Sequence, residues 1–251
     1  MIYGCISERL WEQLVPLLPT EGSPYGGRPP GDVRFFLNAV HWILRSGAPW
    51  RALPCEFGSW KTVYARFRRW QKRGFWDAIF TVLTKVADME SVMIDGTYIH
   101  AHKHSSGARR CSGTQAIGRS RGGLTSKLHA VVDALGYPLR LKLTGGHCSD
   151  ISQAFQLLAP YHNCSTLADR GYDCDALITQ LQDQNCIPVI PPKRNRLAPR
   201  TIDRHLYNER HLIENFFNKI KEYRRVATRY DKLDVSFLAF IVFASTLIWL
   251  R

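Results

Sequence analysis

The stretch His205-Leu-Tyr-Asn-Glu-Arg-His-Leu-Ile-Glu-Asn-Phe-Phe-Asn-Lys-Ile-Lys221 constrains this chain more than any other, because it must hold charge at the edge of a buried surface. At about 100° per residue, Tyr207, Arg210, Glu214 and Lys221 project to nearly the same side of one helix. Leu206, Ile213, Phe216, Phe217 and Ile220 cluster on the neighbouring flank. Such a helix buries one side and keeps a carboxylate and two cations beside it, and a carboxylate placed there needs a partner. Taken alone, the pattern also fits an amphipathic helix with surface ion pairs. Two upstream aspartates change the reading.

With 251 residues, 45% of them hydrophobic and 12% aromatic, the chain has enough apolar surface for a folded protein of one or two domains. A net charge of +13 and a pI near 9.7 fit a polyanionic partner such as nucleic acid, although a membrane-surface protein shares that bias. Seven cysteines without a Cys-x-x-Cys pair indicate neither a disulfide framework nor a zinc ribbon. Reduced, buried thiols in a cytosolic protein are expected. No basic segment followed by an apolar signal run opens the chain, and the apolar stretch from Phe237 to Leu250 contains Ser245 and Thr246. It is too short for a membrane span and reads as a buried helix.

Helical spacing of Leu10, Trp11, Leu14, Val15 and Leu18 predicts a first helix capped by Ser7, followed by a breaker-rich loop over 20–31. Asp32 caps a second helix and Gly47 stops it. A third helix, 59–72, has an apolar side of Trp60, Val63, Tyr64, Phe67 and Trp70, and carries Lys61, Arg66, Arg68, Arg69 and Lys72 with no acidic residue. Three helices ending in a basic one resemble a helix-turn-helix module, with Lys61, Arg66, Arg68 and Arg69 as DNA contacts. The first two helices are expected to cover the third, so a fragment ending near Glu90 should fold alone. A fourth helix spans 76–87.

From Ser91 the pattern turns to strand, through Val92-Met-Ile94 and Asp95-Gly96. His100, His102 and His104 alternate and would share a face if extended, as ligands for a transition metal or as polar residues near DNA. Residues 105–123 read as a mobile basic loop, and 127–133 with 138–143 as a hairpin. A helix from Asp150, a strand from Ser165 ending at Asp169, a helix from Asp173 and a strand over 187–190 follow. Asp133 is explained as a turn residue, and Asp150 and Asp173 as helix caps. His147 lies near enough in sequence to belong to the same region.

This order predicts an α/β protein: a ribonuclease H-like catalytic domain with a mixed five-stranded sheet over 91–251, preceded by a small all-α, helix-turn-helix-like DNA-binding domain over 1–90. In that fold Asp95, Asp169 and Glu214 converge. Clustered carboxylates repel, which makes sense around two Mg²⁺ ions, with Mn²⁺ able to substitute. Such a pair of ions serves in-line phosphodiester displacement.

Tyr207-x2-Arg210-x3-Glu214-x6-Lys221, together with Asp95-Gly96-Thr97 and Ala168-Asp169-Arg170-Gly171-Tyr172, resembles the signature of DDE transposases of the insertion-sequence four/five superfamily. Gly27-Arg28-Pro29-Pro30, Gly47-Ala-Pro-Trp-Arg-Ala-Leu-Pro54 and the Arg-rich third helix resemble the N-terminal region of that family, so the likeness spans nearly the whole chain. It implies that Asp95, Asp169 and Glu214 are catalytic metal ligands and that Tyr207, Arg210 and Lys221 hold phosphates or bases near the cut. It further implies a bacterial, nucleoid-associated enzyme acting on double-stranded DNA at terminal inverted repeats and on target DNA, as a homodimer or higher oligomer in a synaptic complex. Residues 191–204 are too few for the large insert of some relatives. Lys193, Arg194, Arg196 and Arg200 on this linker are expected to touch DNA phosphates beside the cut. A catalytically silent DNA-binding derivative and a nuclease that only hydrolyses are the alternatives.

Overall fold

The computed structural model describes residues 5–21, 31–107 and 115–251. The loop motif at 27–30 and residues 108–114 of the basic stretch lie outside them. In chain order the helices are α1 (Glu8–Leu14), α2 (Val33–Ser46), α3 (Trp60–Lys72), α4 (Phe75–Leu83), α5 (Asp150–Leu158), α6 (Asp175–Asp183), α7 (Arg204–Asn208), α8 (His211–Lys221), α9 (Arg224–Ala227) and α10 (Asp234–Trp249). The strands used below are β1 (Ser91–Ala101), β2 (Gly118–Ser120), β3 (Gly123–Val132), β4 (Pro138–Gly145), β5 (Ser165–Leu167) and β6 (Ile187–Val189). Two compact units result, one from the described residues of Met1–Lys85, His102–Ala108 and Ile220–Arg251, the other from those of Val86–Ala101 and Arg109–Lys219.

The first unit is helical. Ser7 caps α1 by accepting from the Leu10 amide at 3.4 Å, and Asp32 caps α2 by accepting from the Arg34 amide at 2.8 Å. Gly47 ends α2 at φ 69, a left-handed conformation suited to glycine. A Cβ there would also stand only 3.1 Å from Arg224 Cβ. Residues 48–58 then run as two 3-10 turns into α3.

The apolar side of α3 is covered by more than the first two helices. Phe67 stacks on Phe240 of α10 with ring centroids 4.6 Å apart, Trp50 lies 5.9 Å from the same ring, and Trp76 of α4 lies 5.1 Å from Phe243. The last helix, read from sequence with the second domain, therefore groups with the first four. It is buried nearly all round, which explains its mostly apolar sequence, and among the described residues no helix is long and apolar enough to cross a membrane. Arg225 of α9 fixes the connector: it donates to Ala48 O at 2.8 Å and to both carboxylate oxygens of Asp231 at 3.0 and 2.8 Å.

In the second unit β1, β3 and β4 are antiparallel neighbours, while β5 and β6 extend the sheet in parallel beyond β1. The order β4-β3-β1-β5-β6 is the ribonuclease H-like arrangement. The five strands expected from sequence are all present, and β2, within the stretch read as a loop, pairs with the start of β3. Asp133 closes the β3–β4 turn as expected, fully buried and accepting from the Leu135 and Tyr137 amides at 3.1 and 2.8 Å. The stretch 205–221 is not one helix. Turn hydrogen bonds from Leu212 N to Glu209 O and from Ile213 N to Arg210 O separate α7 from α8, so Tyr207 and Glu214 lie on different helices. The apolar flank of α8 is buried as expected at Ile213, Phe216 and Phe217.

Of the described thiols only Cys164 and Cys186 are buried, with sulfurs 3.6 Å apart, and burial pushes Cys164 up to about 12. Cys5 and Cys55 are exposed, against the expectation of buried cysteines.

Phe240→Ala should destabilise the chain by about 3–5 kcal/mol, the usual cost of removing a buried phenylalanine, because Phe67 and Trp50 lose their cover. A fragment ending near Glu90 should lack the near-ultraviolet circular dichroism of packed tryptophans; a cooperative melt from that fragment would show that α10 is dispensable.

Candidate active site

The parallel pairing of β1 with β5 brings the two aspartates together. Met93 pairs with Leu167, so Asp95 within β1 and Asp169 just after β5 each stand two residues beyond a matched pair of strands that lie about 4.8 Å apart. This is the carboxyl end of a parallel pair, where α/β sheets place their ligands. Asp169 Oδ1 accepts from the Gly171 amide at 2.8 Å, and Asp95 Oδ1 from the Gly96 amide at 2.7 Å.

Burial raises the Asp95 carboxyl above the ordinary carboxylate range, and the like charges of Asp169 and Asp150 add to this against the opposing pull of the Gly96 amide and Arg210. Arg210 Nη1 lies 3.1 Å from Asp95 Oδ2, and its other terminal nitrogen hydrogen-bonds Glu214 four residues on. One guanidinium thus bridges the first and third of the expected catalytic residues. Burial works against the Arg210 charge, but Glu214 and Asp95 outweigh it and raise its pKa. Among the described residues no three His, Cys, Asp or Glu side chains stand together as a metal site in this arrangement. Asp95 and Asp169 offer the hard oxygen donors that suit a hard cation, and Glu214 is linked to Asp95 through Arg210.

Asp150 is more than a helix cap. Ser149 occupies the cap position of α5, and the Asp150 carboxylate turns to the buried Lys127 Nζ at 2.5 Å and stands 3.2 Å from Nδ1 of the buried His129. Burial opposes its charge, yet His129 and Lys127 hold it below the ordinary range. Gly96 makes the approach possible: a Cβ there would sit 2.1 Å from Asp150 Oδ1. Tyr172, 1% exposed, lies in the field of Asp150, Asp95 and Asp169, and its hydroxyl has no hydrogen-bond partner among the described residues. Burial first, then those carboxylates, raise its pKa. Sequence reasoning missed Lys127 and His129. Their signal was two titratable residues on one face of a strand that is otherwise buried.

A cleft of about 810 Å³ opens beside Asp169, lined by Arg170, Arg204, Tyr207 and the two ends of the linker, at Pro191 and Pro192 and from Pro199 to Ile202. The linker is pinned. Asp173, expected as a helix cap, is buried instead and accepts from the Lys193 amide at 2.7 Å and Arg196 Nε at 2.6 Å, with Arg200 on its other oxygen. Arg196 and Arg200 also reach Asp175. Of the four expected phosphate contacts, then, Arg196 and Arg200 are committed to ion pairs, while Lys193 and Arg194 have exposed side chains.

On α3, Arg66 is corrected from a surface contact to a buried strut: it binds Glu21 at 2.6 Å and the Gly31 carbonyl at 2.8 Å. Arg68 donates to Ser236, and Lys61 and Arg69 are exposed. Lys221 occupies the last position of α8, where burial lowers its pKa. The histidine alternation fails because β1 ends at Ala101. Residues Lys103–Ser105 form a 3-10 turn in which the His104 amide donates to His102 Nδ1 at 3.2 Å.

Two family models match the chain: "Transposase DDE domain" over residues 87–249 and "Putative transposase of IS4/5 family" over residues 6–80. A Brucella ovis protein described as "Putative transposase for insertion sequence element IS6501" is 46% identical over 133 residues, covering 51% of this chain and all of the relative. A Burkholderia cepacia protein described as "Putative transposase for insertion sequence element IS402" is 29% identical over 133 residues, covering 48% of this chain and 60% of that one. Among solved structures, the piggyBac transposase in a synaptic complex with hairpin DNA aligns at a TM-score of 0.47 and 10% identity, over 84% of this chain and 64% of that one.

The pinned linker gives a test. Burial would raise the Asp173 carboxyl, but Arg196, the Lys193 amide and Arg200 outweigh it and leave it below the ordinary range. A depressed folded-state value means that the contribution is fully present above the unfolded-state pKa of about 3.9 and is lost as pH falls through the folded value. Asp173→Asn should therefore expose residues 191–203 to limited proteolysis at neutral pH, a susceptibility the wild type acquires only below about pH 4. Equal cleavage of both proteins at neutral pH would show that the ion pairs do not restrain the linker.

Proposed function

The chain belongs to the DDE-domain transposases of the IS4/5 insertion-sequence group, and from that premise we propose that it cuts DNA at the ends of its element and joins those ends to target DNA. The observation that carries this is the placement of Asp95 and Asp169 two residues beyond the last pair of β1 with β5, with Glu214 tied to Asp95 through Arg210. Asp95, Asp169 and Glu214 would hold two divalent cations, Mg²⁺ or Mn²⁺. When bound, the ions supply activation of a water or 3′-hydroxyl and stabilisation of the leaving oxygen.

The chain's own residues do the rest. Arg210 keeps Glu214 and Asp95 near each other while their charges would otherwise repel, and it is placed to turn its guanidinium to a phosphate once cations hold the carboxylates. Tyr207, Arg170 and Arg204 line the path of a strand past Asp169, and Lys193 and Arg194 extend that cationic path along the linker. Arg196 and Arg200 act indirectly, by fixing the linker on Asp173. In the helical unit Lys61 and Arg69 present exposed charge to a terminal repeat, while Arg66 and Arg68 shape the helix that carries them. Two copies, each holding one end, would meet in a synaptic complex. A catalytically silent DNA-binding protein is the second reading, favoured by the engagement of both Asp95 and Glu214 with Arg210.

Cleavage of DNA carrying the element's flanking sequence decides between them. Asp95→Asn, Asp169→Asn and Glu214→Gln should each lower Mg²⁺-dependent nicking by orders of magnitude, with duplex affinity by fluorescence anisotropy preserved. A variant that nicks at a near wild-type rate removes that residue from the set, and a wild type that binds but never nicks supports the silent reading. Joined products separate a transposase from a hydrolytic nuclease.

A further inference from the structure

A second cleft, of about 710 Å³, opens in the sheet-bearing unit and shares no lining residue with the cleft at Asp169. Its walls carry Tyr98 and His100 from β1, Arg119 and Arg121 from β2 and the turn after it, Thr125 from β3, and His147 from the turn after β4. No carboxylate is among the described residues lining it.

Three features show a built site. Tyr98 is 51% exposed, an unusual position for an aromatic ring on a strand, yet it is held in place: Lys127 Nζ lies 4.6 Å from the ring centroid and 3.4 Å from the phenol oxygen. His147 occupies space left by glycines, since a Cβ on Gly118 would sit 2.1 Å from its Nδ1 and one on Gly145 2.8 Å from its Cε1. The third is Thr125 at the floor, 4% exposed, whose hydroxyl has no hydrogen-bond partner among the described residues. A buried hydroxyl without a partner carries a desolvation cost that a polar group reaching the floor relieves.

A fixed aromatic face, two exposed guanidiniums, imidazoles and an orphan hydroxyl are together complementary to one chemical unit, a nucleotide whose base is free to stack and whose phosphate is free to pair. We propose that this cleft receives an unpaired nucleotide of the DNA strand flanking the cut, its base on Tyr98 and its phosphate between Arg119 and Arg121. This rests on the transposase reading. Tyr98 stands three residues beyond Asp95 in an unbroken register, about 10 Å along the strand and on its opposite face, a length comparable to about three nucleotides of duplex axis. The occupant is therefore a flanking nucleotide separate from the scissile one.

The test uses the full chain and two probes: a fully paired duplex, and the same duplex with a short single-stranded thymidine tail carrying one photoreactive 5-iododeoxyuridine. The wild type should cross-link the tail to the peptide containing Tyr98. Tyr98→Ala should weaken tailed DNA by about tenfold, the equivalent of one stacked base, and leave paired DNA unchanged, with Tyr98→Trp restoring affinity. Arg119→Ala with Arg121→Ala should reduce the salt slope of log affinity for the tail by about 1.4, at about 0.7 per single-strand phosphate contact. Cross-links mapping elsewhere, or equal weakening of both probes by Tyr98→Ala, overturn the proposal while leaving the transposase reading standing. So does protection of Tyr98 by free thymidine monophosphate but not by the tailed duplex, which would mark a free-nucleotide site. A wild type that binds neither probe overturns both.

Discussion

Asp95 and Asp169 each stand two residues beyond the last pair of β1 with β5, and two carboxylates so placed repel most strongly where water is partly excluded. Burial already raises Asp95, and Asp169 and Asp150 add to the shift. The side chains around them offset that repulsion. Arg210 spans Asp95 and Glu214, while Asp150 is neutralised separately by Lys127 beside His129. The fold therefore contains a carboxylate repulsion at this site that a bound cation would relieve.

Glycines set the distances on which this depends. Gly96 lets the Asp150 carboxylate pass over β1 to reach Lys127, and the same residue supplies the amide that Asp95 accepts. At the far end of β3, Gly118 and Gly145 clear room for His147 in the same way. These positions need a missing Cβ because another side chain occupies the space.

Positive charge is divided between structure and surface in a way the total of +13 does not reveal. Arg66, Arg225 and Arg229 are buried, bound to Glu21, to Asp231 and to the Asp231 carbonyl respectively, and burial lowers Arg229 to about 10. Arg196 and Arg200 are spent on Asp173. Removing one partner of such a buried pair leaves an uncompensated charge, so these arginines have to be separated from any that meet a polyanion before a mutation is read as loss of binding.

The sequence by itself determined most of the elements and the positions of the three candidate carboxylates. Local capping by Ser7 and Asp32, the left-handed stop at Gly47, the alternation of the hairpin strands and the spacing of Asp95, Asp169 and Glu214 depend on neighbours a few residues away or on motif spacing, and all are legible in order along the chain. Tertiary structure alone decided where the charges go. Asp150 and Asp173 look like helix caps locally, but packing turns each toward cations 23 to 27 residues away. The basic face of α3 gives up Arg66 to Glu21, and α10 rather than the first two helices completes the cover of Phe67. Periodicity reports which side of an element is apolar, whereas the partner of a buried charge is set by packing between segments distant in sequence, which periodicity does not encode.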